Sequence, residues 1–575
     1  MPVRRTPIHV FLVSLAVTLV IALGYRLLFT PAYQTNDDVG LSFWAEGVAF
    51  CDAPTPFLLY SNYLYGQLLV WLNHLAGTIN WYRVVAEVIH AVATLATCYA
   101  VLRTDFRWRT GWLLGVYLVT FDLLFWQYPQ FTVTAFLAAQ AGVLLVFQSL
   151  ATEERPSWVT ITVGVTLVLL GGLIRGQSAY LALVLAAPLL GGSLVLRPRP
   201  GARRAVAFWL AAGIVLFAAA RYHEAVYRRA PGWGEFAEFN RLRAEFNDYG
   251  RVTYNEQTRP VFDRVGWSQT DLQMFCMWFY TDEERFSTQK VREIVRAMPA
   301  PQQETVRHRV ISGLRSLVST TRCQFMLVAI LTSLATIRWD RRRAIWLLSL
   351  LAVSLGLVVY MLARMKLPIH VFWPMLGFLQ LAMLMAAVTP RPGCEPGRRR
   401  RWLEMTALLA FVVFFASEFR RARQESTAFR ETNAKFRGAL AELASRPNRL
   451  YVPWGALLHY ELIHPDDNLE DLRHLKLLPI GAGLRTPTTN QRMAEFKISD
   501  LYLAICERDD VWLVATRDWV DVYRVYMREH YGIDVVVETE RAIPLGEFRG
   551  RCYAIDLFKL RRPTPSTSPS IRSHR

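Results

Sequence analysis

Polar and apolar positions divide this chain into long apolar runs separated by short basic loops and three longer polar stretches. The first run, residues 8–29, is almost unbroken Val, Leu, Ala, Ile and Phe, long enough to cross a bilayer as a helix. It has no small-x-small cleavage site and reads as a retained anchor. Further runs at 81–102, 110–127, 131–150, 157–174, 178–196, 204–221, 323–337, 344–363, 369–389 and 402–418 predict about eleven transmembrane helices in all, the shorter ones tilted or covered by protein. Residues 62–79 are nearly as apolar but are interrupted by Asn62, Gln67, Asn73 and His74. No short-period repeat is visible.

The charges choose between two topologies. If 62–79 spans, the clusters Arg103/Arg107/Arg109, Arg197 to Arg204, Arg338 to Arg343 and Arg398 to Arg401 all fall on the far side of the membrane. If it lies flat as an interfacial amphipathic helix, all four fall in the cytoplasm with Arg4 and Arg5, as the positive-inside rule asks. The second arrangement is adopted: amino end inside, carboxyl end outside. It also accounts for the net charge of +18 without nucleic acid, because the basic residues sit in short loops between apolar runs. With 53% hydrophobic and 19% charged residues, the chain reads as a polytopic α-helical membrane protein. The seven Cys lack zinc-type spacing; Cys506 and Cys552 read either as a disulfide or as two buried thiols.

Three segments then lie outside: 30–80, 222–322 and everything after 418. The middle one, about a hundred residues with helical patterning and Trp233, Trp267 and Trp278, is too long for a plain connector. After a charged helix at 417–444, short apolar runs near 450, 511, 534 and 552 alternate with helical stretches. They predict a small extracytoplasmic α/β domain, without a Gly-rich phosphate loop or nucleophile elbow. The expected division is a transmembrane catalytic module over 1–418, an α/β domain over 419–560 and a disordered tail over 561–575.

Chemistry concentrates at the outer mouths of the helices. Asp37 and Asp38 follow the first span; adjacent carboxylates resist joint ionisation, which suits proton transfer or a divalent ion better than packing, though a solvated helix cap is the plain alternative. Gln127-Tyr128-Pro129-Gln130 joins the third and fourth spans, Arg175-Gly176-Gln177 the fifth and sixth, and Arg364-Met365-Lys366 with His370 the ninth and tenth. Cations on this side run against the topology rule. Arg175, Arg364, Lys366 and His370 are therefore candidates for holding a phosphate, with headgroup snorkelling as the alternative. Tyr128 and Gln127 are candidate pocket residues. A carboxylate near a bound sugar phosphate would take the proton of an attacking hydroxyl, while the cations neutralise the leaving phosphate.

This layout resembles the integral-membrane GT-C glycosyltransferases, which include protein mannosyltransferases and the aminoarabinose transferase of lipid A. The matching pieces are Asn36-Asp37-Asp38 followed by interfacial stretches near 40–49 and 62–78, the segment Gly171-Gly172-Leu173-Ile174-Arg175-Gly176-Gln177, and Ala363-Arg364-Met365-Lys366-Leu367-Pro368-Ile369-His370 with Pro374. The likeness covers about residues 1–390. It implies a GT-C type fold, a polyprenyl-phosphate sugar donor, Asp37 as base or partner of the base, and Arg364 and Lys366 on the donor phosphate. The acceptor would be a cell-envelope glycan, lipid or protein. The second acidic motif of some members is missing, since Asp122 lies deeper and Gln127 occupies the mouth. Asp37 and Asp38 thus remain candidate ligands for a divalent ion without a motif that requires one. Two other classes stay open on the residues: a transporter or flippase of lipid-linked glycans, which would need a polar path through the spans, and a non-catalytic envelope scaffold.

Overall fold

The apolar runs fold as helices stacked beneath a mixed α/β cap. The computed structural model describes residues 6–152, 157–196, 200–299, 303–337, 340–364, 367–388 and 398–563; Arg4, Arg5, Lys366, most of the 390–401 linker and most of the tail lie outside them. The amino-terminal half comprises α1 (Pro7–Leu28), α2 (Asn36–Glu46), α3 (Tyr63–Leu75), α4 (Trp81–Thr104), α5 (Trp108–Tyr117), a π turn (Leu118–Asp122), α6 (Leu123–Gln127), α7 (Phe131–Thr152), α8 (Trp158–Ile174), α9 (Gly176–Leu196) and α10 (Pro200–Arg229). Next come α11 (Trp233–Asn247), α12 (Arg259–Val265), α13 (Gln269–Cys276), α14 (Thr288–Ala297) and α15 (Gln303–Val318). Four long helices follow: α16 (Thr321–Ala335), α17 (Arg341–Arg364), α18 (Ile369–Val388) and α19 (Arg398–Ala444).

This is an integral membrane protein. Among the described residues, α1, α4, α7, α17 and α18 are each long and apolar enough to cross a bilayer, and the pair α15–α16, bent by 81°, would make a sixth crossing if counted as one span. The remaining apolar stretches also lie on helices: 110–127 is divided by the π turn, 157–174 is α8 at 17 residues, 178–196 and 204–221 lie on α9 and α10, and 402–418 is part of the 47-residue α19. Local chemistry starts the helices. Thr6 and Pro7 open α1, and Asn62, Asn80 and Ser157 each cap the helix that follows by accepting a backbone N–H. Helices α7 and α8 pack through glycine: a Cβ on Gly142 would lie 2.3 Å from the Gly164 carbonyl oxygen, the close backbone approach typical of small residues between membrane helices.

Helix α3 has 13 residues, about 20 Å at 1.5 Å per residue, too short to span. Its amino end is tied sideways: Asn62 Nδ2 donates to the Ala219 carbonyl and the Tyr63 N–H to His223 Nδ1, both at 3.0 Å.

After α19 come β1 (Leu450–Pro453), β2 (Lys476–Leu477), α20 (Pro487–Glu495), α21 (Leu501–Glu507), β3 (Val511–Val514), α22 (Arg517–Tyr531), β4 (Val536–Phe548) and β5 (Arg551–Arg561). The strands form one sheet in the order β2-β1-β3-β5-β4, with β1 parallel to β2 and β3, and β5 antiparallel to β3 and β4. Cys506 is buried, Cys552 exposed, and both are free thiols.

Packing sorts the connections into two ends. Phe239, Trp267 and Phe275 of the 222–322 segment share one core with Trp454, Tyr502 and Tyr526 of the carboxyl part, and Trp454 Nε1 donates to the Met277 carbonyl at 2.6 Å. The 30–80 segment joins them: Lys476 Nζ and Arg492 Nη2 reach Asp52 at 2.7 and 3.0 Å, and the Leu477 N–H donates to the Ala49 carbonyl. At the opposite end Arg109 pairs with Glu404 at 2.9 Å and bonds the Thr336 carbonyl, and the ring of His9 lies 5.4 Å from that of Phe106. The three long polar segments therefore share one face, and the 103–109 loop, the end of α16 and the starts of α1 and α19 share the other.

Candidate functional site

The acid pair opens α2, and its two members have different surroundings. Asp38 is 2% exposed. Its Oδ1 accepts the Tyr82 hydroxyl at 2.9 Å and the Phe131 N–H at 2.8 Å, and its Oδ2 accepts the Thr35 hydroxyl at 3.2 Å. Burial pushes the Asp38 carboxyl from its ordinary 3.8 up to about 7, against the lowering effect of those donors. Asp38 thus ties the start of α2 to α4 and to the first residue of α7.

Asp37 is partly exposed and acts electrostatically on Tyr60 and Arg175. Arg175 caps the carboxyl end of α8, where it donates to the Tyr60 carbonyl at 3.4 Å and lies 5.2 and 5.3 Å from the rings of Tyr60 and Phe131. Burial lowers the Arg175 pKa, while Tyr60 and Asp37 act to raise it. Of the candidate site residues, Asp37, Asp38 and Arg175 are thus gathered around Tyr60 and Phe131.

The 127–131 turn carries a second cluster. The Ala32 N–H donates to the Gln127 carbonyl, holding the turn against the strand-like stretch before α2. The Gln127 side chain is spent on the Ala422 carbonyl of α19 at 3.2 Å. The Tyr128 hydroxyl donates to Glu425. Arg322, at the start of α16, donates to the Tyr128 oxygen at 3.1 Å and to Glu425 at 2.6 Å. Burial raises the Glu425 carboxyl, but Arg322, Tyr128 and Arg421 outweigh it and hold it below its ordinary value. Two guanidinium groups lie over the Tyr128 ring: Arg322 at 4.7 Å and Arg549, from the β4–β5 turn, at 4.5 Å from the centroid. Arg549 makes no ion pair among the described residues.

Arg322, Arg421, Glu425 and Arg549 line an open cavity of about 730 Å³. Below it a narrow apolar slot of about 40 Å³ runs between α1, α6, α16 and α19, walled by Phe29, Leu123, Phe325 and Phe415, with Arg322 and Glu418 as its charged members. Trp373 of α18 lies 5.8 Å from the Arg322 guanidinium, which brings the start of α18 to this cluster; His370, one turn earlier, is partly exposed. Arg364 is exposed at the end of α17, and Lys366 falls outside the described residues. Sequence reading missed Arg322 and Arg549. Arg322 could have been noticed as a charge directly ahead of an apolar run; nothing local marks Arg549.

No family model matches this chain, and no curated protein matches it in sequence. Among solved structures, the crystal structure of ArnT from Cupriavidus metallidurans bound to undecaprenyl phosphate is similar at 10% identity and a TM-score of 0.39, over 96% of this chain and 99% of that one. The apo form of the same protein is similar at 10% identity and a TM-score of 0.36, with the same coverage.

Proposed function

We propose that this protein is a membrane glycosyltransferase that moves a sugar from a polyprenyl-phosphate donor to a cell-envelope glycan, lipid or protein acceptor. It works at the extracytoplasmic face of the cytoplasmic membrane, with its amino end inside and its carboxyl part outside. The observation that carries this reading is the division of labour in the acid pair beside a cationic cavity. Asp38 is committed to three donors and fixes the backbone, while the partly exposed Asp37 lies within electrostatic reach of Arg175. Arg322 and Arg549 lie over the ring of Tyr128, in the turn whose Phe131 N–H binds Asp38.

In the reaction, Asp37 takes the proton of the acceptor hydroxyl as its oxygen bonds the anomeric carbon. The bond from that carbon to the donor phosphate oxygen breaks, and the electron pair leaves with the phosphate. Arg549 and Arg322 meet the phosphate charge on one side of the turn, with Arg175, Arg364, Lys366 and His370 as the further cations of this face. A single displacement of this kind inverts the anomeric centre.

The test uses the purified full chain with a panel of radiolabelled polyprenyl-phosphate sugars. Asp37→Asn is expected to lower transfer by about 10²- to 10⁴-fold, the span of one general base, with donor binding unchanged. A wild-type chain that transfers none of the sugars, or an Asp37→Asn chain that turns over at the wild-type rate, overturns the assignment.

A further inference from the structure

Apart from the residues gathered around the acid pair, helices α13 and α22 bring together three side chains with ligand chemistry. Asp271, in the first turn of α13, is fully buried. One of its oxygens is occupied: Oδ2 accepts the Ser268 N–H at 2.8 Å in a capping box and has Arg285 at 3.5 Å. The other, Oδ1, faces His530 Nε2 at 3.1 Å, within ion-pair distance, yet neither of these buried atoms makes a well-directed hydrogen bond. Glu529 Oε1 lies 3.6 Å from the same His530 nitrogen, at the solvent edge. All three ligand atoms fall within 4.8 Å of one another.

A contact of this length that is misdirected for a hydrogen bond leaves both buried atoms under-satisfied, which is costly. A cation between them removes that cost. Ligands at 2.0–2.1 Å around a tetrahedral ion are separated by about 3.3 Å, and the observed 3.1 and 3.6 Å bracket that spacing. One imidazole with two carboxylates suits zinc among the divalent ions and disfavours calcium and magnesium, which take oxygen ligands. The Ser268 N–H and Arg285 on the second oxygen orient the Asp271 carboxylate, as outer partners of a metal ligand do.

We infer that Asp271, Glu529 and His530 form a zinc site, with water as the fourth ligand at the open Glu529 side. The ion joins the 222–322 segment to the carboxyl-terminal part and lies outside the proposed transfer chemistry.

Purified full-length protein, stripped with a chelator and equilibrated with Zn²⁺ alone, is expected to retain one zinc per chain and to melt at a higher temperature than the stripped form; Mg²⁺ and Ca²⁺ do neither. His530→Ala and Glu529→Gln are expected to weaken zinc binding by at least about 100-fold, beyond what loss of an outer partner costs, and to abolish the zinc-induced shift. Both positions are at or near the surface, so the metal count stays readable if the Asp271 cap variant fails to fold. Asp37→Asn should keep its zinc, which separates this site from an ion at the acid pair. Failure of the wild type to retain zinc, or equal zinc in His530→Ala, overturns the inference.

Discussion

Asp37 and Asp38 are neighbours in sequence with separate tasks in the fold. From sequence alone the two carboxylates were interchangeable, because adjacency says nothing about which one is buried. Burial answers it, and it makes a pH prediction. The native Asp38 carboxyl titrates near 7, against 3.8 for its ordinary value, so between those values the folded chain holds a proton that the unfolded chain releases. Its contribution is fully present below about pH 4 and is lost as pH rises through 7. Asp38→Asn keeps an acceptor for Tyr82 and Phe131 and carries no charge. The substituted protein should show a flatter melting temperature between pH 5 and 8 than wild type, measured by thermal unfolding in detergent. Equal pH slopes would mean that Asp38 is not the buried proton holder described above.

At the scale of elements, the β4–β5 hairpin is the clearest case of a segment shaped for a distant site. Phe548 pairs with Arg551, leaving Arg549-Gly550 as a two-residue loop. Both loop residues have positive φ, 53° and 70°, the type I′ geometry that favours Asn-Gly. A left-handed conformation costs an arginine about 1–2 kcal/mol. The guanidinium over Tyr128 is the evident return on that strain. Asn at this position suits the turn but has no cation. Arg549→Asn should therefore leave the melting temperature unchanged or slightly higher while raising the KM for the donor about tenfold, with Arg549→Lys between the two. A lower melting temperature with unchanged KM would make Arg549 a structural residue. The π turn at Leu118–Asp122 is a second such element. It sets Asp122 inside the bundle, accepting from Thr94 at 2.8 Å and Trp126 at 3.2 Å with His90 at 3.2 Å. Asp122 is thereby satisfied well below the mouth.

At the scale of the whole molecule, α19 is the strut. Its 47 residues reach about 70 Å, from the end that holds Arg109 and Glu404 to the end that holds Glu425 and the sheet. This length binds the orientation of the bundle to that of the carboxyl part. In cells expressing a chain whose exposed Cys276 and Cys552 are replaced by Ser, an impermeant maleimide should label Gly77→Cys from outside and Arg107→Cys only after permeabilisation. Labelling of position 107 in intact cells would invert the topology and remove the site from the outer face.

Helices long enough to cross a bilayer, the short polar-interrupted α3 and the helix start at Asn36-Asp37-Asp38 were legible in the chain. Each depends on residues within one turn or one span, where hydrophobic length and local charge act directly. Three things were not legible. They are the burial of Asp38 under Phe131, the meeting of Tyr128 with Arg322, Glu425 and Arg549, and the approach of His530 to Asp271. Each joins residues about ninety to four hundred positions apart, and no local pattern encodes such a meeting. Close packing of the bundle against its cap creates it, because only there do side chains leave water and find one another.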